Sequence, residues 1–221
     1  MLSTSSSFTK ISSSKTAENS DKKWKVGREI DMFVIGASAG GADALIEVLK
    51  VLPVYLPPVL VVQHMEARFT TLYAKRISNI CKMQVKEIAD GDLAERGHIY
   101  IAPGGYHTTI HKMNNKYFYK LDISPKVSGH RPSVNVAFDS AATTLGNKAI
   151  GVILTGMGDD GATVLLKLRN TGAYTIGQDQ ATCLVYGMPR VAKEIGAVLR
   201  QLPLDKIGMD IVFRCGIKTS K

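Results

Sequence analysis

No uncharged apolar run in the 221-residue chain approaches the ~18 residues that a membrane span needs, so no membrane insertion is expected. The N-terminus also lacks the apolar stretch of a secretory signal, and the cytoplasm becomes the expected compartment. Cysteine is scarce. Cys81, Cys183 and Cys215 stand far apart, and no CxxC or Cys/His cluster has zinc spacing. Buried or free thiols in a reducing compartment are expected, with no metal. Nucleotide signatures are missing as well. There is no G-x-G-x-x-G and no G-x-x-x-x-G-K-[ST]. Gly36, Gly40 and Gly41 do resemble a phosphate loop, but a ribose-holding acid would be wanted after the second strand, where Gln63-His64 stands instead. The net charge is +9, yet no dense basic block with interleaved aromatics occurs, which argues against nucleic acid as a partner. A mildly basic body suits an acidic protein partner through steering.

What is present is an ordinary globular composition, 45% hydrophobic and 21% charged. Six basic and three acidic residues lie in Met1 to Ile30, a Ser/Thr- and Lys-rich segment with almost no large apolar residue before Trp24. Residues 1–29 are therefore expected to be a disordered tail, and residues 30–217 one folded domain.

Short apolar runs then alternate with helical spacings. Met32–Ile35, Val59–Val62, Val85–Ile88, His98–Ala102, Ala149–Leu154 and Tyr174–Gly177 read as strands. Helices are expected around Ala42–Leu49, Thr70–Ile80 (with Leu72, Ile77 and Ile80 apolar), Val134–Ala141 capped by Ser133, Val164–Leu168, and from Pro189 at a first position. Thr108–His111 and Tyr117–Leu121 flank Asn114-Asn115, a hairpin signal. The alternation implies an α/β fold: a mainly parallel, doubly wound sheet covered by helices on both faces, with an appended antiparallel β-hairpin.

In such sheets ligands bind beyond the carboxyl ends of the strands. Gly36-Ala37-Ser38-Ala39-Gly40-Gly41 follows the first strand, Gln63-His64 the second, and Thr155-Gly156-Met157-Gly158-Asp159-Asp160-Gly161 the strand ending at Leu154. The first segment fits G-x-S-x-G, a sharp strand-to-helix turn that lifts a serine hydroxyl clear of the sheet. A hydroxyl needs a base within reach, and that base needs an acid on its other nitrogen. Ser38, His64 and Asp160 are the expected nucleophile, base and acid, with Asp159 the competing acid. Backbone N–H groups of Ala39 and Gly40, at the start of the helix, face a developing oxyanion. His98, His107, His111 and His130 have no such context and read as structural or surface residues, His107 as a neighbour of the cleft. The chain order Ser, His, Asp differs from that of the α/β-hydrolases.

Together with Asp90-Gly91-Asp92, Ile101-Ala102-Pro103-Gly104-Gly105-Tyr106-His107, Arg131-Pro132-Ser133-Val134 and Gly187-Met188-Pro189-Arg190, these segments resemble the catalytic domain of CheB-type chemotaxis protein-glutamate methylesterases, from about Val34 to Leu202. The resemblance implies the triad Ser38, His64 and Asp160, with an oxyanion contribution from the backbone N–H of Met157. It implies hydrolysis of glutamate methyl esters, and deamidation of glutamines, on the cytoplasmic domain of a methylated chemoreceptor, without a cofactor. An esterase or amidase on a small substrate, and a binding module that keeps the fold, are the alternatives. Ala39 stands where the family often has threonine, and a lower rate is expected. Many members carry a phosphorylatable receiver domain ahead of the esterase. Here only the Ser/Lys-rich segment precedes it, so activity without a phospho-aspartate switch in this chain is expected.

Overall fold

A computed structural model describes residues 29–216, so the expectation of a disordered tail over residues 1–29 falls, Glu29 apart, on residues outside those described. Strands β1 (Met32–Ala37), β2 (Val59–Gln63), β3 (Gln84–Glu87), β4 (His98–Ile101), β7 (Ala149–Ile153), β8 (Tyr174–Gln178) and β9 (Arg200–Leu202) form one sheet in the order β3-β4-β2-β1-β7-β8-β9. Every pairing in it is parallel. Strands β5 (His107–Met113) and β6 (Lys116–Asp122) make the separate antiparallel hairpin. Asn114 and Asn115 turn it with φ of 50° and 59°, the two left-handed residues that a two-residue loop between right-twisted strands requires.

The central strands read as apolar runs because both faces are covered. Along β1, Phe33, Ile35 and Ala37 point into one core and Met32 and Val34 into the other. Helices α1 (Gly41–Leu49), α2 (Ala67–Ser78) and α6 (Leu204–Arg214) close the first core with Leu45, Leu49, Tyr73, Ile77, Ile207 and Ile211. Helices α3 (Val134–Thr144), α4 (Ala162–Asn170) and α5 (Met188–Glu194) close the second, and the hairpin adds Ile110 and Tyr119. Each fully buried Leu, Ile or Phe contributes roughly 1.5–3 kcal/mol, so the paired cores supply the main cohesive force.

The expected strands are present with ends displaced by one or two residues. Helix α2 differs more. It begins at Ala67, and its buried face is Thr70, Tyr73, Ala74 and Ile77. Leu72 and Ile80 are exposed, because the buried stripe follows Tyr73 and Ile77 and leaves Leu72 turned to solvent. Strand β9 and helix α6 extend the sheet beyond the last expected element.

Candidate active site

Strands β2, β1 and β7 are neighbours at the middle of the sheet. Ser38 follows β1, His64 follows β2, and Asp160 lies between β7 and α4. Their three loops therefore open side by side at the carboxyl edge, where an α/β sheet binds ligands.

The turn carrying Ser38 is held from several directions. Gly41 N–H donates to the Ser38 carbonyl at 2.8 Å, and Ser38 N–H donates to the Thr155 carbonyl at 3.0 Å. Gln63 Nε2 donates to the Ser38 carbonyl at 2.9 Å. The Thr155 hydroxyl donates to the Ala39 carbonyl at 2.9 Å and accepts from Val185 N–H at 2.9 Å. Close approach matters here. A Cβ at Gly156 would fall 2.8 Å from Ser38 Cβ, so the Thr155–Met157 stretch runs directly against the serine. Gly40 takes a left-handed φ of 76° as it enters α1. Met157, 74% exposed, continues that stretch along the rim of the site.

His64 Nδ1 lies 3.0 Å from Ser38 Oγ, and its Nε2 lies 2.8 Å from Asp160 Oδ2. Asp160 is only 1% exposed. Besides His64, its Oδ2 accepts from Val134 N–H at 2.7 Å. Its Oδ1 accepts from the Ser133 hydroxyl at 2.8 Å and from Asn135 N–H at 3.1 Å. Burial alone pushes the carboxyl group upward, but the bonds from His64, Ser133, Val134 and Asn135 outweigh it and hold the group below its ordinary 3.8. A carboxylate only accepts, so the proton on His64 sits at Nε2 and the bare Nδ1 faces the serine hydroxyl. That is the arrangement a general base needs to take a proton from Ser38.

The cradle exists because α3 can approach β1. A Cβ at Gly36 would lie 2.2 Å from Val134 Cγ1, and one at Gly161 would lie 2.5 Å from the same atom. Val134 thus wedges between two glycines and brings the amino end of α3, with its free N–H groups and positive pole, onto Asp160. This corrects one expectation. Ser133 does not cap α3 with its own side chain. Its hydroxyl turns to Asp160, and the carboxylate caps the helix from across the chain. Asp159 makes no contact of this kind among the described residues; its carbonyl accepts from Ala162 N–H in the turn.

His107 is fully buried and contributes structurally. Its Nδ1 accepts from Ser133 N–H at 3.3 Å, and its Nε2 lies 3.1 Å from the Pro125 carbonyl. His98 and His111 pack against Tyr100 and Phe118, away from the triad. His130 departs from its expected structural or surface role. Its ring stacks on His64, and both line a cavity of about 490 Å³ with Met65, Gly105, Lys126 and Arg131. The signal available in the sequence was its place beside Arg131-Pro132-Ser133, directly ahead of α3. The three thiols are free, and burial pushes Cys81, Cys183 and Cys215 each up to about 11, which leaves them protonated at neutral pH and weak as nucleophiles. No helix among the described residues is long and apolar enough to cross a membrane.

A family model described as CheB methylesterase matches residues 33–211. The protein-glutamate methylesterase/protein-glutamine glutaminase 2 of Rhodospirillum rubrum is 48% identical over 181 residues, covering 82% of this chain and 50% of that protein. The corresponding protein 3 of Geobacter metallireducens is 44% identical over 207 residues, covering 94% of this chain and 58% of its own length. The chain thus spans about half the length of the curated relatives it matches. The crystal structure of the CheB methylesterase catalytic domain of Thermotoga maritima superposes with a TM-score of 0.81 at 38% identity, covering 83% of this chain and 98% of that one.

Proposed function

This chain belongs to the CheB methylesterase family, and on that premise we propose that it hydrolyses the γ-methyl esters of glutamate side chains on the cytoplasmic domain of a methylated chemoreceptor, and deamidates glutamines at such sites. The observation that carries this reading is the unbroken line from Ser38 Oγ through His64 to Asp160, at 3.0 Å and 2.8 Å, on the family's scaffold. Ser38 Oγ attacks the γ-carbonyl carbon while its proton passes to His64 Nδ1. The carbonyl electron pair moves onto oxygen, where backbone N–H groups of Met157, Ala39 and Gly40 stabilise the charge. Collapse expels methoxide, which takes the proton from His64 and leaves as methanol. A water, deprotonated by the same nitrogen, then cleaves the acyl-enzyme and restores Ser38. Asp160 stays ionised and stabilises the imidazolium formed twice per cycle. A cytoplasmic location suits a receptor's inner domain as substrate.

The test is methanol release from a methylated receptor signalling domain, with Ser38→Ala as control. Release at a normal rate by that variant would refute the mechanism. Release from small methyl esters but never from the receptor domain would refute the substrate.

A further inference from the structure

His64 has a ring partner besides its hydrogen bonds. The imidazole of His130 lies flat on it, with ring centroids 3.6 Å apart and planes 10° apart. The His130 backbone is fixed by a reciprocal pair: its N–H donates to the Val127 carbonyl at 3.0 Å, and Val127 N–H donates to the His130 carbonyl at 3.1 Å. Three residues further on, Ser133 donates to Asp160. One segment therefore carries both the ring that covers His64 and the hydroxyl that steadies its acid.

The charged and titratable surroundings of His130 are asymmetric. His64 lies across the stack with Asp160 behind it, Lys126 stands on the same loop, and Glu66 and Arg131 line the shared cavity. Burial first, then the neighbouring His64, hold the His130 imidazolium below its ordinary 6.5. Asp160 pulls the other way, and Lys126 adds to the lowering. At neutral pH the covering ring is uncharged.

We propose that His130 is a positioning residue: its neutral ring fixes the plane of His64 and stabilises, face to face, the imidazolium that His64 becomes when it takes the proton of Ser38. The proposal rests on the triad chemistry above. The face of an uncharged aromatic ring attracts a cation, whereas a second imidazolium there repels one. A proton on His130 therefore works against the one that His64 takes from Ser38.

The test is pH-dependent inactivation of the full chain by a fluorophosphonate. This reagent phosphonylates an activated serine with loss of fluoride and needs no receptor. Rates are followed from about pH 5 to pH 8, the range in which histidines titrate. In the unaltered protein the rate should fall further with acid across that range than in His130→Phe, whose covering ring takes no proton. His130→Ala should slow inactivation about 10- to 100-fold at neutral pH, the scale on which small misplacements act. His130→Phe, which keeps a flat uncharged ring, should restore most of that rate at neutral pH. A merely structural role would leave the acid profile unmoved. The same acid profile for the unaltered protein and His130→Phe overturns the proposal. If His130→Ala does not fold, those two profiles still decide. Failure of every variant to label Ser38 overturns the triad reading beneath it. Normal labelling without receptor demethylation leaves this proposal standing and removes the substrate assignment alone.

Discussion

At its Ser38 end the site is held by uncharged groups: backbone carbonyls and amides, Gln63 and the Thr155 hydroxyl. At its Asp160 end it is held by a buried carboxylate with donors on both oxygens. The serine turn needs small residues and close backbone approach. The acid needs a charge, and that charge does two jobs, orienting His64 and capping α3. The reacting group itself is therefore separable from stability at the serine end, whereas at the acid end the two are joined in one side chain.

The largest effects break this comparison outright. Ser38→Ala should lower methanol release about 10⁶-fold, the scale seen when triad members act as a unit. It should shift stability by no more than about 0.5 kcal/mol, because only an Oγ is removed. Asp160→Asn should cost about 10⁴-fold in rate through the wrong tautomer. It should also lose roughly 1–3 kcal/mol, because an amide cannot accept all four donors. Chemical denaturation of the two variants beside methanol release checks the split. Equal stability of both would erase the distinction between the two ends.

Thr155→Val tests the uncharged end. Removing the hydroxyl strands the half-buried Val185 N–H and releases the Ala39 carbonyl. A loss of about 1–3 kcal/mol should follow, with a fall in turnover of about 10²-fold from a displaced nucleophile. Release rates at saturating receptor domain separate that fall from weaker binding.

Acid should sharpen the contrast. The Asp160 carboxyl group is held below its ordinary 3.8, so its contribution to stability is complete above that value and is lost as pH falls through the lower, folded-state value. Thermal melts below pH 3.8 should show the unaltered protein converging on Asp160→Asn, while Ser38→Ala keeps the unaltered profile. The smallest effect lies outside both ends. Arg190 and Glu194 pair across one helical turn with both side chains more than half exposed. Arg190→Ala should change stability by at most about 0.5 kcal/mol in a denaturant titration, since such pairs are screened by water and salt.

Much of this site was legible in the sequence, for a reason visible in the sheet. Ser38, His64 and Asp160 each follow a strand buried on both faces, and such strands show as unbroken apolar runs even when read one at a time. The hairpin was legible because Asn114-Asn115 announces its turn. Legibility failed where position depends on groups far apart in the chain. Nothing near Ser133 says that its hydroxyl serves Asp160 rather than its own helix. The place of His130 beside Arg131-Pro132-Ser133 puts it near the site, but no residue there says that its ring lies on His64. Strand β9 escaped because Arg200–Leu202 is short and half-buried, without an apolar run. Helix α6 had a signal in Ile207, Ile211 and Val212, which fall on one face.

The separation of 96 residues between His64 and Asp160 has a meaning during synthesis. Ser38 and His64 leave the ribosome close together, but at 5–20 residues per second the acid follows roughly 5–20 s later. Even then β7 must dock against β1 before the carboxylate meets the imidazole. A nascent chain thus exposes its serine turn long before that serine can be activated. The proposed esterase is silent until the middle of the sheet has closed.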